Sequence, residues 1–186
     1  MNGNCHFMFA GAVSAGVAVN LDNFINLGLQ IEHTPATVTL LVMGGLLGGI
    51  APDMDNPRSH VGQLTKPVST LIGRVGKFFG KKGFDHRWIL HDPLLHSAGL
   101  ILSYLYFPPM LGFFLGTLSH LFLDAFNPKG IPVFFGAWNI RLGGIPSESK
   151  GAVVLTWVFT ILVILISYLA AGDCFGLWEM LKIWLF

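Results

Sequence analysis

Charged side chains are scarce in this sequence, because Asp, Glu, Lys and Arg together make up 11% of its 186 residues while hydrophobic residues make up 53%. A soluble domain carries roughly twice that charged fraction. The net charge is +1, so no bulk electrostatic attraction favours binding to nucleic acid. The length fits a single domain, which we predict to cover residues 1–186.

Cysteine is also scarce. Cys5 and Cys174 lie at opposite ends of the chain, so they do not form a disulfide framework. No Lys or Arg precedes the first apolar run, and we therefore do not expect a cleavable signal peptide.

Long apolar runs replace the missing charges. Ala152 to Ala171 carries no charge over a length that crosses a bilayer, which predicts a C-terminal transmembrane helix, 152–171. A buried helix of that length in a soluble protein is rarely apolar on every face. Four shorter runs, each rich in Gly or broken by Pro, precede it: Phe7–Val19, Ala36–Pro52, Pro93–Phe107 and Met110–Phe126. The predicted fold class is all-α, a polytopic membrane helical bundle of about five spans.

Lys and Arg are absent before Arg58, and this asymmetry predicts the orientation. Seven basic residues lie between Arg58 and Arg87, and three more lie between residues 127 and 151. The positive-inside rule places the 53–92 and 127–151 loops in the cytoplasm. The sequence of the 53–92 loop also predicts an amphipathic helix, which either lies on an anionic membrane surface or packs on the bundle. Its apolar residues recur at helical spacing: Val68, Leu71, Ile72, Val75, Phe78 and Phe79.

Histidines and aspartates gather at the cytoplasmic end of the predicted bundle. An up-and-down path brings four segments to that end, and they carry His6, Asp53, Asp55, His86, His91, His96, His120 and Asp124. His120 and Asp124 are four residues apart, so they share one helix face. Imidazole and carboxylate together suit Zn²⁺, Mn²⁺ or Fe²⁺ better than Ca²⁺. We therefore predict a site for a divalent metal, zinc, manganese or iron, in the core at about residues 1–150.

Each of these residues also has a simpler interpretation. His6 is compatible with an interfacial histidine, and the carboxylates of Asp53 and Asp55 with helix-end groups that pair with Arg58 or Arg87. His120 and Asp124 are compatible with a bare hydrogen-bonded pair. For His96 a ligand, an outer hydrogen-bond donor and a polar group of the bundle all remain open. Just before Asp53, the glycines Gly44, Gly45, Gly48 and Gly49 form two small-xxx-small pairs that favour close helix packing.

The order of these motifs resembles the YdjM-like family of inner-membrane, metal-dependent hydrolases. The matching pieces are Cys5-His6, PDMDNPRSHVGQ at 52–63, HRWILH at 86–91, SHLFLDAFNPKGIPVF at 119–134 and RLGGIP at 141–146. The resemblance implies seven metal or active-site positions: His6, Asp53, Asp55, His86, His91, His120 and Asp124. It also implies a distant relation to zinc-dependent phospholipase C, which favours phosphoester hydrolysis.

Two positions depart from the family pattern. Leu90-His91-Asp92 stands where Thr-His-Ser is common, and Asn127 stands where Thr is usual. Asp92 adds a carboxylate beside a proposed ligand, which bears on metal number and on substrate.

The mechanism expected from these residues is metal-assisted hydrolysis, in which the ion lowers the pKa of water to about 7. Asp55 or Asp92 is the predicted proton acceptor, and Arg58 and Arg87 are predicted to contact phosphate oxygens or lipid headgroups. Membrane lipids are expected partners, and a small molecule or lipid phosphate is the expected substrate. The alternatives are a non-catalytic membrane protein with a structural metal and a small transporter, although no repeated halves are visible.

Overall fold

The computed structural model describes residues 3–56, 59–67, 70, 71, 74 and 89–171, and the fold is given within those ranges. The helices are α1 (Gly3–Val19), α2 (Leu21–Asn26), α3 (Pro35–Ile50), α4 (His60–Leu64), α5 (Pro93–Tyr106), α6 (Leu111–Ala125) and α7 (Lys150–Ala171). Short 3-10 turns lie at Ala51–Asp55, Ile89–His91 and Pro108–Met110. The predicted helical character is therefore confirmed.

One element departs from the all-α prediction. Strands β1 (Ile131–Val133) and β2 (Trp138–Ile140) form an antiparallel hairpin, with Ile131 opposite Ile140 and Val133 opposite Trp138. Each strand has three residues, which is too short for an alternating pattern to be recognised in the sequence. The fold is thus a helical bundle with a small hairpin between α6 and α7.

Proline and short polar side chains define the helix starts. At α3, Thr34 accepts a hydrogen bond from the backbone N–H of Thr37 at 3.2 Å, and Pro35 occupies the first turn. At α5, Asp92 accepts from the N–H of Leu94 at 3.0 Å, and Pro93 follows it. These caps satisfy N–H groups that have no partner within the helix.

Glycines allow α3 to lie close to both α1 and α6. A Cβ atom on Gly45 would collide with Ser14 of α1, and one on Gly48 would collide with the backbone of Phe113 on α6. The contact is reciprocal, because a Cβ atom on Gly116 of α6 would collide with the carbonyl oxygen of Gly45. The close packing predicted from the glycine spacing is confirmed, and it brings the C-terminal end of α3 against its neighbours.

Helix α7 lies along α1. Near its start, Ala152 packs with Cys5, Phe9 and Leu123 in one buried cluster. Near its end, the Nδ2 group of Asn20 donates a hydrogen bond to the carbonyl oxygen of Ser167 at 3.0 Å. The two contacts fix both ends of α7 on the bundle.

Two helices in the described residues are long and apolar enough to cross a membrane: Pro35–Met54, which continues α3 through the following turn, and Lys150–Ala171. They correspond to the predicted runs Ala36–Pro52 and Ala152–Ala171. Helices α1, α5 and α6 have 17, 14 and 15 residues. At about 1.5 Å per residue they are shorter than the roughly 30 Å hydrocarbon core. The prediction of about five spans is therefore not confirmed.

Two parts of the sequence prediction fall largely outside the described residues. Leu71 and Arg74 lie at helical, exposed positions where the predicted amphipathic helix begins. Val68, Ile72, Val75, Phe78 and Phe79 are outside the described ranges, as is the segment after Ala171.

Candidate metal centre

Separate segments bring five of the predicted ligand residues to one end of the bundle. His6 lies at the start of α1, Asp53 in the turn after α3, His91 in the turn before α5, and His120 and Asp124 on α6. They form two overlapping groups, one of His6, His120 and Asp124 and the other of Asp53, His91 and His120. Within each group the potential ligand atoms all lie within 4.8 Å of one another. Because His120 is common to both, the five side chains form one cluster.

The Asp124 carboxylate faces three histidines. Its Oδ1 is 3.4 Å from Nε2 of His6, and its Oδ2 is 3.9 Å from Nε2 of His91 and 4.0 Å from Nε2 of His120. The Nε2 atom of His120 also lies 3.8 Å from Oδ1 of Asp53. Ligand atoms at about 2.0–2.2 Å from a tetrahedral zinc ion are about 3.3–3.6 Å apart. The 3.4 Å separation lies in that range, and the other three, at 3.8–4.0 Å, are a few tenths of an ångström longer, so the atoms need to move only slightly to surround a common cation.

The cluster is shielded from solvent. His6, His91, His120 and Asp124 are each at most 2% exposed, whereas the Asp53 side chain is 20% exposed. Nδ1 of His6 and Nε2 of His120 have no hydrogen-bond partner within the described part of the chain, while Nε2 of His6 contacts the Asp124 carboxylate. Burying a polar atom without a partner costs free energy, and a bound cation supplies such a partner. The residues present therefore fit a divalent metal ion.

A backbone contact determines which His120 nitrogen is available. Its Nδ1 lies 2.7 Å from the carbonyl oxygen of Gly49, near the end of α3. A carbonyl oxygen only accepts, so Nδ1 carries the proton and donates it. In the neutral ring, Nε2 then presents a lone pair toward Asp53 and Asp124. Metal-bound histidines in proteins commonly donate their second nitrogen to a carbonyl in this way.

The imidazole ring of His120 contacts the rings of His6 and His91. The rings of His6 and His120 stack with centroids 3.6 Å apart and planes 15° from parallel. The rings of His91 and His120 meet edge to face, with centroids 5.5 Å apart. Because His120 contacts both other rings, it occupies the middle of the cluster.

Residues 1–178 match the model of a family described as YdjM inner membrane protein. The chain belongs to the YdjM family. Among curated YdjM relatives, the inner membrane protein YdjM of Escherichia coli strain K12 is 34% identical over 106 residues, which cover 55% of this chain and 53% of that protein. The protein of the same name from Shigella flexneri matches equally.

YvsG of Bacillus subtilis strain 168 is 27% identical over 99 residues, covering 52% of this chain and 57% of that protein. The chain spans about half the length of the curated relatives it matches. No solved structure matches the chain. The YdjM resemblance recognised in the sequence is confirmed, and with it the inner membrane as the setting of the family.

Asp92 has a different environment from the five clustered residues. It is 1% exposed, and its Oδ1 accepts from the N–H of Leu94. Its Oδ2 accepts from the N–H of Phe135, at 2.7 Å. Both oxygens are thus engaged by backbone amides, one opening α5 and one in the hairpin. The structure gives Asp92 a role in positioning the segment around His91, which its place in the sequence did not indicate.

His96 acts on the same segment. Its Nε2 lies 2.9 Å from the carbonyl oxygen of Leu90 and donates to it, one residue before His91. Of the three roles considered for His96, this contact corresponds to the outer hydrogen-bond donor. The Gly49 carbonyl is a second contact that sequence reasoning missed, because no side chain identifies it.

Four predicted site residues are not placed by the structure. Arg58, His86 and Arg87 lie outside the described ranges, and the side chain of Asp55 is also outside the described part. The backbone of Asp55 belongs to the 3-10 turn that carries Asp53. Ser59 stabilises that turn, because its Oγ donates to the carbonyl oxygen of Asp53 at 2.7 Å.

Proposed function

We propose that this YdjM-family protein is a membrane-embedded, metal-dependent hydrolase. The observation that carries the proposal is the cluster of three histidines and two aspartates, buried at one end of the bundle, in which Nδ1 of His6 and Nε2 of His120 have no hydrogen-bond partner among the described residues. Nitrogen and carboxylate ligands together favour zinc, with manganese or iron as alternatives.

The four most buried side chains are proposed to hold the ion: His6, His91, His120 and Asp124. When bound, a divalent ion supplies Lewis acidity, which makes hydroxide available from water near neutral pH. The Asp124 carboxylate balances part of the positive charge of the ion. The carbonyl oxygen of Gly49 orients the His120 ring by accepting its Nδ1–H. The carbonyl oxygen of Leu90 accepts from His96, which holds the segment that carries His91.

Asp53 is the proposed general base, which accepts the proton that the attacking water loses. It is the most exposed of the five clustered side chains, so it lies where water reaches the cluster. Its Oδ1 is 3.8 Å from Nε2 of His120, which keeps the carboxylate beside the ligand group. Asp92 is less suited to this step, because backbone N–H groups engage both of its oxygens. Asp55 remains a second candidate acceptor.

A phosphoester, either a small molecule or a lipid-linked phosphate, is the proposed substrate. The chain belongs to an inner membrane family, and a site at the end of a membrane bundle lies at the level of lipid headgroups. Arg58 and Arg87 are the proposed contacts for phosphate oxygens, through their planar guanidinium groups. The site is proposed to face the cytoplasm, because the flanking loops carry most of the basic residues.

A structural metal site is the second candidate, because four of the five side chains are almost completely buried. A structural site has all its ligand positions filled by protein, whereas a catalytic site keeps one open. The partial exposure of Asp53 favours the catalytic alternative.

The test compares wild type with Asp53→Asn after purification and zinc loading. The probes are bis(p-nitrophenyl) phosphate, phosphatidic acid and the carboxylic ester p-nitrophenyl acetate, with metal content measured on the same samples. Loss of a general base typically lowers the rate about 100-fold or more, so we expect Asp53→Asn to keep its zinc and lose hydrolysis. Zinc in both proteins and hydrolysis in neither, across phosphoester and carboxylic ester probes, would contradict the enzyme and support the structural site.

A further inference from the structure

The hairpin beside the metal centre carries an exposed aromatic patch. Phe134, Phe135 and Trp138, which we call the aromatic tip, are 51%, 58% and 68% exposed. The rings of Phe134 and Trp138 pack edge to face, with centroids 5.2 Å apart. On the other face of the hairpin, Ile131 and Val133 are buried, and Ile131 clusters with residues of α6. One face thus anchors the hairpin while the tip projects outward.

The backbone of the tip does not explain the choice of phenylalanine. Phe134 and Phe135 have φ angles of 52° and 57°, and Gly136 follows at 89°. The N–H of Ala137 donates to the carbonyl oxygen of Phe134, which closes a turn with Phe135 and Gly136 at its centre. Positive φ at both central positions favours Asn-Gly, and a bulky residue there is strained. Strained residues cluster at sites where the side chain serves a function.

The tip is also tied to the metal centre. The N–H of Phe135 donates to Oδ2 of Asp92, and Asp92 follows His91 directly. The hairpin therefore lies at the same end of the bundle as the clustered histidines.

The start of the candidate span α7 indicates how deep the hairpin lies relative to the bilayer. Ala152 lies close to the start of this candidate span and packs with Cys5, the neighbour of His6, and with Leu123. The metal centre and the start of the span are thus at one level, where a hydrocarbon core gives way to headgroups. Ile140 and Leu142, 44% and 57% exposed, extend the apolar surface of the tip toward α7.

The charges around the tip complement an anionic surface. Lys129 precedes the hairpin and Arg141 follows it, and both are exposed. Aromatic rings, Trp above all, are enriched at the membrane–water interface, where basic side chains contact anionic headgroups.

We propose that the aromatic tip inserts into the headgroup region of the leaflet that surrounds the metal centre, with Lys129 and Arg141 contacting anionic lipids. The occupant of this surface is the lipid leaflet itself. The inference goes beyond hydrolysis and does not depend on it, because lipid insertion is measured without metal or substrate.

The experiment uses Trp138 as a reporter, in a full-length variant in which Phe replaces Trp88, Trp157, Trp178 and Trp184. The protein is reconstituted in vesicles of phosphatidylcholine with phosphatidylglycerol, brominated either close to the headgroup or near the chain end. We expect blue-shifted emission, stronger quenching by the shallow bromines, and little quenching by aqueous iodide. Quenching by iodide alone overturns the proposal, and shielding from both quenchers overturns it in favour of a second copy of the chain.

A second variant separates insertion from folding. Phe134→Asn with Phe135→Gly suits the left-handed backbone, so the thermal midpoint should not fall. We expect bromolipid quenching of Trp138 to drop by at least about half in this variant. Quenching that stays unchanged would show that the phenylalanines do not insert.

A third variant tests the two basic residues. Lys129→Gln with Arg141→Gln should remove the difference in Trp138 quenching between vesicles with and without phosphatidylglycerol. A difference that persists contradicts the lipid contact of these two residues.

Discussion

At the scale of single residues, the two ring nitrogens of His120 make different contacts. Nδ1 donates to Gly49 and fixes the ring, while Nε2 points at two carboxylates. An asparagine at this position places its amide nitrogen about where Nδ1 lies, but it has no atom at the place of Nε2. The two tasks can therefore be separated by mutation.

We expect His120→Asn to keep the hydrogen bond to Gly49 while its bound metal falls at least about tenfold, since a ligand is lost. Metal content by elemental mass spectrometry and thermal unfolding of the apo protein check this together. His120→Leu, which loses both contacts, is the matched comparison and should also unfold at lower temperature. Full metal content in His120→Asn would show that Nε2 is not a ligand.

Asp92 gives a second prediction for a single residue. Asparagine can accept from one backbone N–H but its amide nitrogen cannot accept from the other, so Asp92→Asn loses one of two buried hydrogen bonds. We expect destabilisation by about 1–2 kcal/mol and faster amide hydrogen exchange at Leu94 or Phe135. Hydrolysis abolished with unchanged exchange at both amides would instead assign Asp92 the role of the base.

At the scale of secondary-structure elements, glycines determine how closely α3 packs against α6. At Gly116 an alanine improves helix propensity by about 1 kcal/mol. Its Cβ atom, however, would collide with the carbonyl oxygen of Gly45 and lie 2.8 Å from the N of Gly49. Overpacking against atoms that cannot move aside costs about 1–3 kcal/mol or more, so the collision outweighs the gain.

Gly116→Ala should therefore lower the thermal midpoint, and it should also lower metal content, because α3 and α6 carry the segments of Asp53 and His120. Gly144→Ala is the matched control, since a Cβ atom there meets nothing within 4 Å. A Gly116→Ala protein as stable as the control would show that the helices have room to separate.

The sequence predicts elements best where their signals are local. The apolar runs Phe7–Val19, Pro93–Phe107 and Met110–Phe126 correspond to α1, α5 and α6. Helix α2 and the hairpin were missed because six-residue and three-residue segments carry too little periodicity. The convergence of five side chains was predictable from up-and-down topology, but the contacts of Asp92 and His96 were not. Their partners are backbone groups of other segments, and no residue type marks such groups.

Orientation is a property of the whole molecule. The basic loops predict that the hairpin end faces the cytoplasm and that the α2–α3 connection faces the opposite side. In a background with Cys5→Ser and Cys174→Ser, we expect Glu32→Cys to react with a membrane-impermeant maleimide in spheroplasts. Glu148→Cys, also exposed but at the other end, should react only after permeabilisation. The reverse pattern would turn the site outward.

Elemental mass spectrometry of the purified protein tests the metal centre most directly. Wild type should carry zinc, manganese or iron near one or two ions per chain, and His120→Ala with Asp124→Ala should carry about a tenth or less. The matched control is His33→Ala with Asp22→Ala, which removes an exposed histidine–aspartate pair 2.9 Å apart at the other end of the bundle. It should keep the wild-type content. No bound metal in wild type after supplementation with each ion would contradict the account.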